Sequence, residues 1–289
     1  MGVTNTVEGV IDMSYKKILT IQDISCVGQC SLTVALPIIS ACGIETCVLP
    51  SAVLSTHTGG FSGYTFRDLT EDMPDIKAHW VREGIRFDAI YTGYLGSTKQ
   101  IKYVGHIFED VSADNCIKIV DPAMADHGKL YVGFDEVFAQ AMKELCKKAD
   151  YVLPNITEAC LLTDTEYKTE YDRDYVELLI NKLKKLGCKN IIFTGISCAP
   201  DTTGVVVYEN EKYSYYEHEK LPKSCHGTGD IYASAFVGSL LRGKKAFDAA
   251  KIAADYAVEC MKATAKEENH WYGAAFEPVL GKLIEALNE

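Results

Sequence analysis

The stretch Lys17-Ile-Leu-Thr-Ile21 begins the pattern that decides the fold of this chain. It is a short apolar run, and it is followed by an amphipathic segment at residues 31–41 and by a second apolar run at residues 45–50. Uninterrupted apolar runs of this length are typical of parallel strands with both faces buried, and the segment between them has the spacing of a helix. Together they predict a strand–helix–strand unit of an α/β fold.

The same alternation of short apolar runs and amphipathic segments continues through most of the chain. Strand-like runs also occur at residues 89–91, 116–120, 151–153 and 190–193, and helical patterns at 99–111, 134–147, 174–186, 231–241, 246–261 and 278–287. Residues 204–208 and 212–216 have the pattern of an antiparallel hairpin. We therefore predict an α/β, three-layer fold, in which helices flank a central, mostly parallel sheet with an antiparallel hairpin late in the chain. No Pro/Gly/Ser-rich linker is present, so we expect one domain over residues 15–289 after an N-terminal extension at residues 1–14.

The composition excludes several classes of function. The 289 residues include 29 Lys and Arg against 40 Asp and Glu, a formal net charge of −11, with no cluster of basic residues. Binding to nucleic acid is not expected, because phosphate contacts require clustered Lys and Arg. No apolar run approaches the roughly 18 residues of a membrane span. Eleven scattered cysteines, with no Cys-x-x-Cys pair and no secretory signal, predict free thiols in a reducing, cytoplasmic compartment.

Polar residues follow each of the first six apolar runs. Because ligands of parallel α/β sheets bind at the carboxyl ends of the strands, these residues are expected to converge on one edge of the sheet. In chain order they are Asp23; Ser55-Thr-His57-Thr58-Gly-Gly60; Thr92-Gly-Tyr94; Asp121 and Asp126; Asn155 and Glu158; and Thr194, Gly195 and Ser197. Hydroxyl, amide and carboxylate side chains in this arrangement indicate a polar binding site at that edge.

The most informative motif is Gly227-Thr228-Gly229-Asp230, which directly precedes a long helical pattern. Two glycines allow backbone amides to turn toward a bound group, and a helix N-terminus adds partial positive charge. Such a turn suits an anion, above all a phosphoryl group in transfer, and Asp230 is placed to accept or orient the proton of an attacking hydroxyl. Taken alone, the tetrapeptide is also compatible with an ordinary helix start. Its position among the other polar strand ends favours the phosphoryl site.

A second pair, Asn155 and Glu158, opens a helix three residues apart, so that both side chains lie on one face. Their oxygens suit a hydrated magnesium ion, which takes few protein ligands and keeps several waters. The alternative is an Asn N-cap with Glu in the capping box. Asp121 ends a strand beside the polar segment Asp126-His-Gly-Lys-Leu130, which is expected to act as a flexible lid near metal and phosphates. The alternative for Asp121 is a simple turn before proline.

Taken together, these motifs resemble the ribokinase-like kinases, and among them the pyridoxal/pyridoxamine kinase group. The resemblance extends from about residue 18 to about residue 261 and is carried by Ser55-Thr-His-Thr58, Thr92-Gly-Tyr-Leu-Gly96, Asp121-Pro-Ala-Met124, Leu153-Pro-Asn-Ile-Thr-Glu158 and Gly227-Thr-Gly-Asp230. It implies a homodimer that transfers the γ-phosphoryl group of ATP, with Mg2+, to the 5′-hydroxymethyl group of a B6 vitamer: pyridoxal, pyridoxamine or pyridoxine. Whether a monovalent cation such as K+ assists is left open.

The resemblance also implies a role for each residue of the predicted site. Asp230 would be the catalytic base, and Gly227, Thr228 and Gly229 would form the anion-binding turn. The vitamer would be held by Asp23, His57, Thr58 and Tyr94, the nucleotide by Asp121, Thr194, Gly195 and Ser197, and the metal, through water, by Asn155, Glu158 and Asp126.

Two positions depart from the family pattern: Ala125 stands where a glycine usually follows the methionine, and Asp23 bears on the acceptor. Asp23 stands where well-known members of the group carry serine after the first strand. A carboxylate there can accept a hydrogen bond from a protonated ring nitrogen or pair with an amine, which favours pyridoxamine as the vitamer. Two alternatives stay open: the same chemistry on hydroxymethylpyrimidine or a sugar, and a non-catalytic vitamer sensor that keeps the fold. The predicted base and metal residues argue against the sensor, since binding alone does not need them.

Overall fold

A nine-stranded sheet runs through the centre of the protein, whose computed structural model describes residues 15–222 and 225–289. Eleven strands are described, nine of them in this sheet. They are β1 (Lys17–Ser25), β2 (Glu45–Leu54), β3 (Phe66–Asp68), β4 (Phe87–Thr92), β5 (Ser112–Val120), β6 (Ala125–Asp126), β7 (Lys129–Leu130), β8 (Tyr151–Val152), β9 (Asn190–Ile196), β10 (Thr202–Glu209) and β11 (Lys212–Glu219). Their order in the sheet is β11-β10-β9-β8-β5-β4-β1-β2-β3, and β6 and β7 form a separate ribbon. The extension predicted for residues 1–14 lies outside the described residues.

The six central strands, from β2 to β9 in the sheet order, are parallel to one another. The edge strands β3, β10 and β11 are antiparallel to their neighbours. Parallel neighbours require long crossover connections, and helices supply most of them. The parallel sheet and the β10–β11 hairpin confirm the predicted fold class.

Helices cover both faces of the sheet. They are α1 (Leu32–Ala41), α2 (Met73–Arg82), α3 (Thr98–Asp110), α4 (Glu136–Cys146), α5 (Ile156–Leu162), α6 (Arg173–Leu186), α7 (Thr228–Leu241), α8 (Ala246–Thr264) and α9 (Leu280–Asn288), the last preceded by a 3-10 turn at Glu277–Val279. Helices α1, α7, α8 and α9 enclose one hydrophobic core, and α2 to α6 enclose the other. The buried thiols Cys42, Cys146, Cys160, Cys188 and Cys260 pack in these cores as unpaired small apolar groups.

Strand residues enter the two cores alternately, because successive side chains of a strand point to opposite faces. Ile18 packs in the core under α1 and α7, whereas Leu19 and Ile21 pack in the other core. Where α1 crosses α7, Gly238 permits the close approach, since a Cβ there would lie 2.4 Å from the Cys42 sulfur. This packing places the N-terminus of α7 at the carboxyl edge of the sheet.

The sequence pattern does not predict four of the described elements: β3, α2 and the two short strands β6 and β7. All three residues of β3 are exposed, so this strand shows no alternation of buried and exposed side chains. In α2 only Met73 is fully buried, and Ile76 and Trp80 pack against the core from partly buried positions. Within residues 15–222 and 225–289, no helix combines the length and the apolar character needed to cross a bilayer.

Candidate active site

The carboxyl ends of the parallel strands and the N-terminus of α7 meet at one edge of the sheet. The Asp121 amide donates to the Thr92 carbonyl oxygen (2.9 Å) and the Gly93 amide to that of Ile21 (3.2 Å), which ties together the ends of β1, β4 and β5. The Thr194 amide in β9 donates to the carbonyl oxygen of Pro154, which lies just after β8 (3.0 Å). The structure thus brings together strand ends that carry the predicted residues Asp23, Tyr94, Asp121, Asn155 and Thr194.

The glycine turn before α7 requires glycine at its first position. Gly227 has a φ of +77°, and a Cβ there would lie 1.8 Å from the Gln29 carbonyl oxygen. The Thr228 hydroxyl donates to the Cys225 carbonyl oxygen (2.8 Å), which holds the turn. At Gly229, in contrast, a Cβ would meet no described atom within 4 Å. The first turn of α7 therefore begins beside open space, where its free amides and the helix dipole suit an anion.

Asp230 lies in the first turn of α7 and is partly buried. Burial, reinforced by the nearby charge of Asp23, raises the pKa of Asp230 to about 7, although a hydrogen bond from the Ser31 backbone amide favours the ionised form. A carboxylate with a pKa near the working pH is matched to accepting a proton.

Asp23 lies near the end of β1 and is only 5% exposed. The Ser25 hydroxyl donates to its Oδ2 (3.0 Å), and the Ser31 hydroxyl donates to it as well. Burial raises the pKa of Asp23. Since the Ser31 side chain contacts Asp23 and its amide contacts Asp230, one residue bridges the two carboxylates. Ser31 has a φ of +55°, and backbone strain of this kind concentrates at functional sites.

His57 is buried beside Asp23 as a neutral imidazole. The Gly59 amide donates to its Nδ1 (3.0 Å), so the proton is on Nε2, which donates to the Tyr272 carbonyl oxygen (2.6 Å). Burial lowers the pKa of His57. The loop after β1 closes on this ring at Gly28, whose φ is +107° and whose Cβ would lie 2.1 Å from it.

The other two residues predicted to hold the acceptor, Tyr94 and Thr58, differ in burial. The Tyr94 ring stacks on Phe134 with centroids 5.5 Å apart. Burial, with the charge of Asp23, raises the pKa of Tyr94 to about 12. Thr58 is exposed. The structure therefore puts Tyr94 beside Asp23 and leaves Thr58 toward solvent.

Residues 270–277 cover the His57 side of the site, and the sequence pattern does not predict this. His270 Nε2 donates to Gln29 Oε1 (2.7 Å), and Gln29 Nε2 donates to the Glu277 carboxylate (2.9 Å). The Trp271 ring packs on Phe61 with centroids 4.6 Å apart. The segment has no helical or strand periodicity; the run of three aromatic rings at 270–272 in a polar stretch is the one signal that could have indicated it.

Asn155 and Glu158 form the capping box of α5, the alternative weighed from the sequence. Asn155 Oδ1 accepts from the Glu158 amide, and Glu158 Oε2 accepts from the Asn155 amide, both at 2.9 Å. Glu158 Oε1 also accepts from the Met124 amide (3.0 Å). Burial raises the pKa of Glu158 to about 7. The capping box holds both side chains rigidly at the end of β8, which does not prevent their remaining lone pairs from binding water.

Asp121, Glu158 and Asp230 together form an acidic cluster. Burial and the charges of Glu158 and Asp230 hold the pKa of Asp121 well above its usual range. No described Lys or Arg forms an ion pair with any of the three. Nor do three ligand-type side chains in the described part of the chain come close enough to hold a bare metal ion. This donor set fits a hydrated magnesium ion that arrives with nucleotide phosphates.

Asp126 belongs to a short hairpin, and its part in a lid stays a prediction. Strands β6 and β7 pair around His127 and Gly128, whose φ values of +49° and +76° are those of a tight two-residue turn. The Gly128 amide donates to the Thr157 hydroxyl (3.0 Å), which pins the turn to α5. Asp126 is exposed, with its carboxylate 3.5 Å from the His127 ring. The next residue after the hairpin, Tyr131, is 42% exposed, and its pKa is raised by partial burial and by the charges of Glu158 and Asp126; sequence reasoning missed it.

The residues predicted for the nucleotide lie at the end of β9. Gly195 is exposed and has a φ of +66°, and Thr194 beside it is partly buried. The Ser197 hydroxyl donates to the Thr202 carbonyl oxygen (2.7 Å), so it closes the loop before β10. Thr194 and Gly195 therefore remain the nucleotide candidates on this strand, and Ser197 supports their loop.

A parallel sheet in this strand order, with a glycine turn and a buried carboxylate at the start of α7, defines the class of ribokinase-like small-molecule kinases. The chain belongs to the phosphomethylpyrimidine kinase family, whose model matches residues 36–275. Within the ribokinase-like superfamily it falls in the pyridoxal kinase group.

Three relatives show the extent of the similarity. A pyridoxal kinase from Lactobacillus plantarum is 31% identical, with a TM-score of 0.88 over 96% of this chain and 99% of its own. A protein from Bacteroides thetaiotaomicron, provisionally assigned as a phosphomethylpyrimidine kinase and crystallised with pyridoxal, is 35% identical, with a TM-score of 0.87 over 95% and 96%. The pyridoxal kinase of Dictyostelium discoideum is 27% identical over 78% of each chain. Two of these relatives are named as pyridoxal kinases, and the third is named as a phosphomethylpyrimidine kinase.

Proposed function

We propose that this protein is an ATP-dependent kinase that phosphorylates the 5′-hydroxymethyl group of a B6 vitamer. The observation that carries the proposal is the Asp230 carboxylate, which lies beside the glycine turn with a pKa raised to about 7. A group of this kind takes the proton of an attacking hydroxyl, while the N-terminus of α7 stabilises the charge on the phosphoryl group in transfer. Catalysis of phosphoryl transfer consists almost entirely of positioning the reacting groups and stabilising their charge.

Asn155 and Glu158 would hold magnesium through water, and Thr194 and Gly195 would line the nucleotide site. The metal, when bound with ATP, supplies positive charge to the β- and γ-phosphates. The chain's own part is to supply rigid acceptors: the capping box fixes Asn155 and Glu158, and the strand end fixes Asp121.

The lining of the acceptor pocket supports a flat heteroaromatic acceptor. His57, Tyr94 and Phe61 contribute rings, and Trp271 closes the outer side. A sugar would call for a larger number of Asp and Asn side chains to pair with its hydroxyls. Hydroxymethylpyrimidine is the second candidate, favoured by the family match and by the name of the Bacteroides relative. We further propose a homodimer in solution, which light scattering on a size-exclusion column would test.

The test of the function is magnesium-dependent ATP consumption with pyridoxal, pyridoxamine, pyridoxine, hydroxymethylpyrimidine or ribose. Asp230→Asn is assayed beside Asp248→Asn, which makes the same change in the exposed first turn of α8. We expect vitamer-dependent turnover that is lost in the first variant and kept in the second.

Other outcomes would replace the proposal. Turnover with hydroxymethylpyrimidine alone would establish the second candidate. Stabilisation by pyridoxal against heat, without turnover of any acceptor, would support a vitamer sensor.

A further inference from the structure

Asp23 is a buried carboxylate without a cation. It accepts hydrogen bonds from the hydroxyls of Ser25 and Ser31 and from its own backbone amide, and no described Lys or Arg pairs with it. Burying a charge without a counter-charge costs free energy. A neutral oxygen would accept hydrogen bonds from the same hydroxyls without that cost, so what the carboxylate adds is its negative charge.

The titratable groups that face Asp23 do not neutralise it. Asp230 is itself an acid, bridged to Asp23 through Ser31. His57 is neutral, with its Nδ1 accepting from an amide and its pKa lowered by burial. Burial also raises the pKa of the Cys30 thiol and of the Tyr94 phenol, so both stay protonated and uncharged. The pocket is therefore acidic and lacks any protein cation among the residues that the structure describes.

We propose that Asp23 sets the acceptor specificity by pairing with a protonated aminomethyl group next to the hydroxymethyl group that is phosphorylated. The inference rests on the proposed function, because the hydroxyl must reach Asp230. Because Ser31 hydrogen-bonds to both carboxylates, we place the cation close to the reacting hydroxyl on the acceptor. In pyridoxamine these two groups are on adjacent ring carbons, whereas the ring nitrogen is one carbon further from the hydroxymethyl-bearing carbon. The geometry thus favours the exocyclic ammonium over a protonated ring.

The experiment measures kcat/KM of the wild type and of Asp23→Asn for three acceptors at pH 7.5. Pyridoxamine carries the ammonium group, pyridoxine carries a neutral hydroxymethyl group there, and 4-deoxypyridoxine carries only a methyl group. We expect Asp23→Asn to lower kcat/KM for pyridoxamine by roughly 30-fold or more, as when one partner of a buried charge pair is removed. The other two acceptors should change by less than about threefold, and Asp248→Asn should change none of them.

An equal loss with all three acceptors would overturn the inference, because Asp23 would then act on the ring nitrogen or through the base. An unchanged preference for pyridoxamine would overturn it too. If the wild type phosphorylates no acceptor, the proposed function fails, and calorimetric binding of pyridoxamine and pyridoxine decides the inference separately. Selective loss of pyridoxamine binding in Asp23→Asn would then support it, and equal binding to both proteins would refute it. Thermal unfolding of the variant checks that it is folded.

Discussion

Replacing Asp230 by Asn is expected to lower turnover and raise stability at the same time. The amide has the size of the carboxylate but cannot accept the proton of an attacking hydroxyl, so kcat should fall roughly 10²- to 10⁴-fold. The effect on stability has the opposite sign because Asp230 is an acid held partly out of water. Its pKa rises from an ordinary 3.8 to about 7 on folding.

The size of the stability effect follows from the raised pKa. Between pH 3.8 and about 7 the folded protein keeps a proton that the unfolded chain releases, so stability is lost as the pH rises through this range. At about 1.4 kcal/mol per pKa unit, the loss above pH 7 amounts to a few kcal/mol at most, and partial exposure of the side chain makes it smaller. Asn carries no charge and escapes the loss. The gain from Asp230→Asn should therefore grow from small near pH 4 to roughly 1–4 kcal/mol at pH 8.

The assay is urea unfolding of the wild type and Asp230→Asn at pH 5 and pH 8, with Asp248→Asn as the exposed control. The difference between wild type and Asp230→Asn should be larger at pH 8, and the control should show no such change. In the wild type, kcat/KM should also fall about tenfold per pH unit below pH 7, because the base must be ionised. A variant that is less stable than the wild type at pH 8, or a pH profile flat down to pH 5, would refute the reasoning.

Three further changes test other parts of the site. Gly227→Ala should destabilise the protein, since its Cβ would meet the Gln29 carbonyl oxygen at 1.8 Å, whereas Gly229→Ala should melt normally but lose turnover, because its methyl group enters the open space at the start of α7; melting and turnover of the pair check this. Glu158→Gln removes a charge and puts an NH2 group against one of the two amides that donate to the carboxylate, so half-maximal turnover should need roughly tenfold more magnesium and the melting temperature should fall. Trp271→Ala should raise KM for the acceptor and not for ATP, with Trp271→Phe close to wild type; equal changes in both KM values would contradict the placement of residues 270–277.

Much of the architecture can be predicted from the sequence because the central strands are buried on both faces. The runs that became β1, β4, β5 and β9 are mostly apolar, with few interruptions such as Thr20 and Lys118, and that pattern has few other interpretations in an α/β chain. The edge strand β3 lacks the pattern because all three of its residues are exposed. The polar strand ends follow from the topology, since parallel strands share one carboxyl edge.

What the sequence leaves out are contacts made by chain segments that follow no periodic pattern. Ser31 has an ordinary side chain, and only its unusual φ lets the amide and the hydroxyl reach two different carboxylates. The aromatic segment at 270–277 folds back over His57 through bonds to a loop near the other end of the chain. Spacing arguments are local, so neither contact could be derived from them.

Because Ser31 links Asp23 to Asp230, the charge at Asp23 and the pKa of Asp230 depend on each other. The charge of Asp23 raises the pKa of Asp230, and an acceptor cation that neutralises Asp23 would remove part of that effect. The base should therefore ionise at a lower pH when a cationic acceptor is bound than in the free enzyme. We expect the acidic limb of kcat for pyridoxamine to lie below that of kcat/KM, and the two limbs to coincide for pyridoxine. In Asp23→Asn both limbs should move to lower pH and coincide for every acceptor, which ties the selection of the cation to the ionisation of the base.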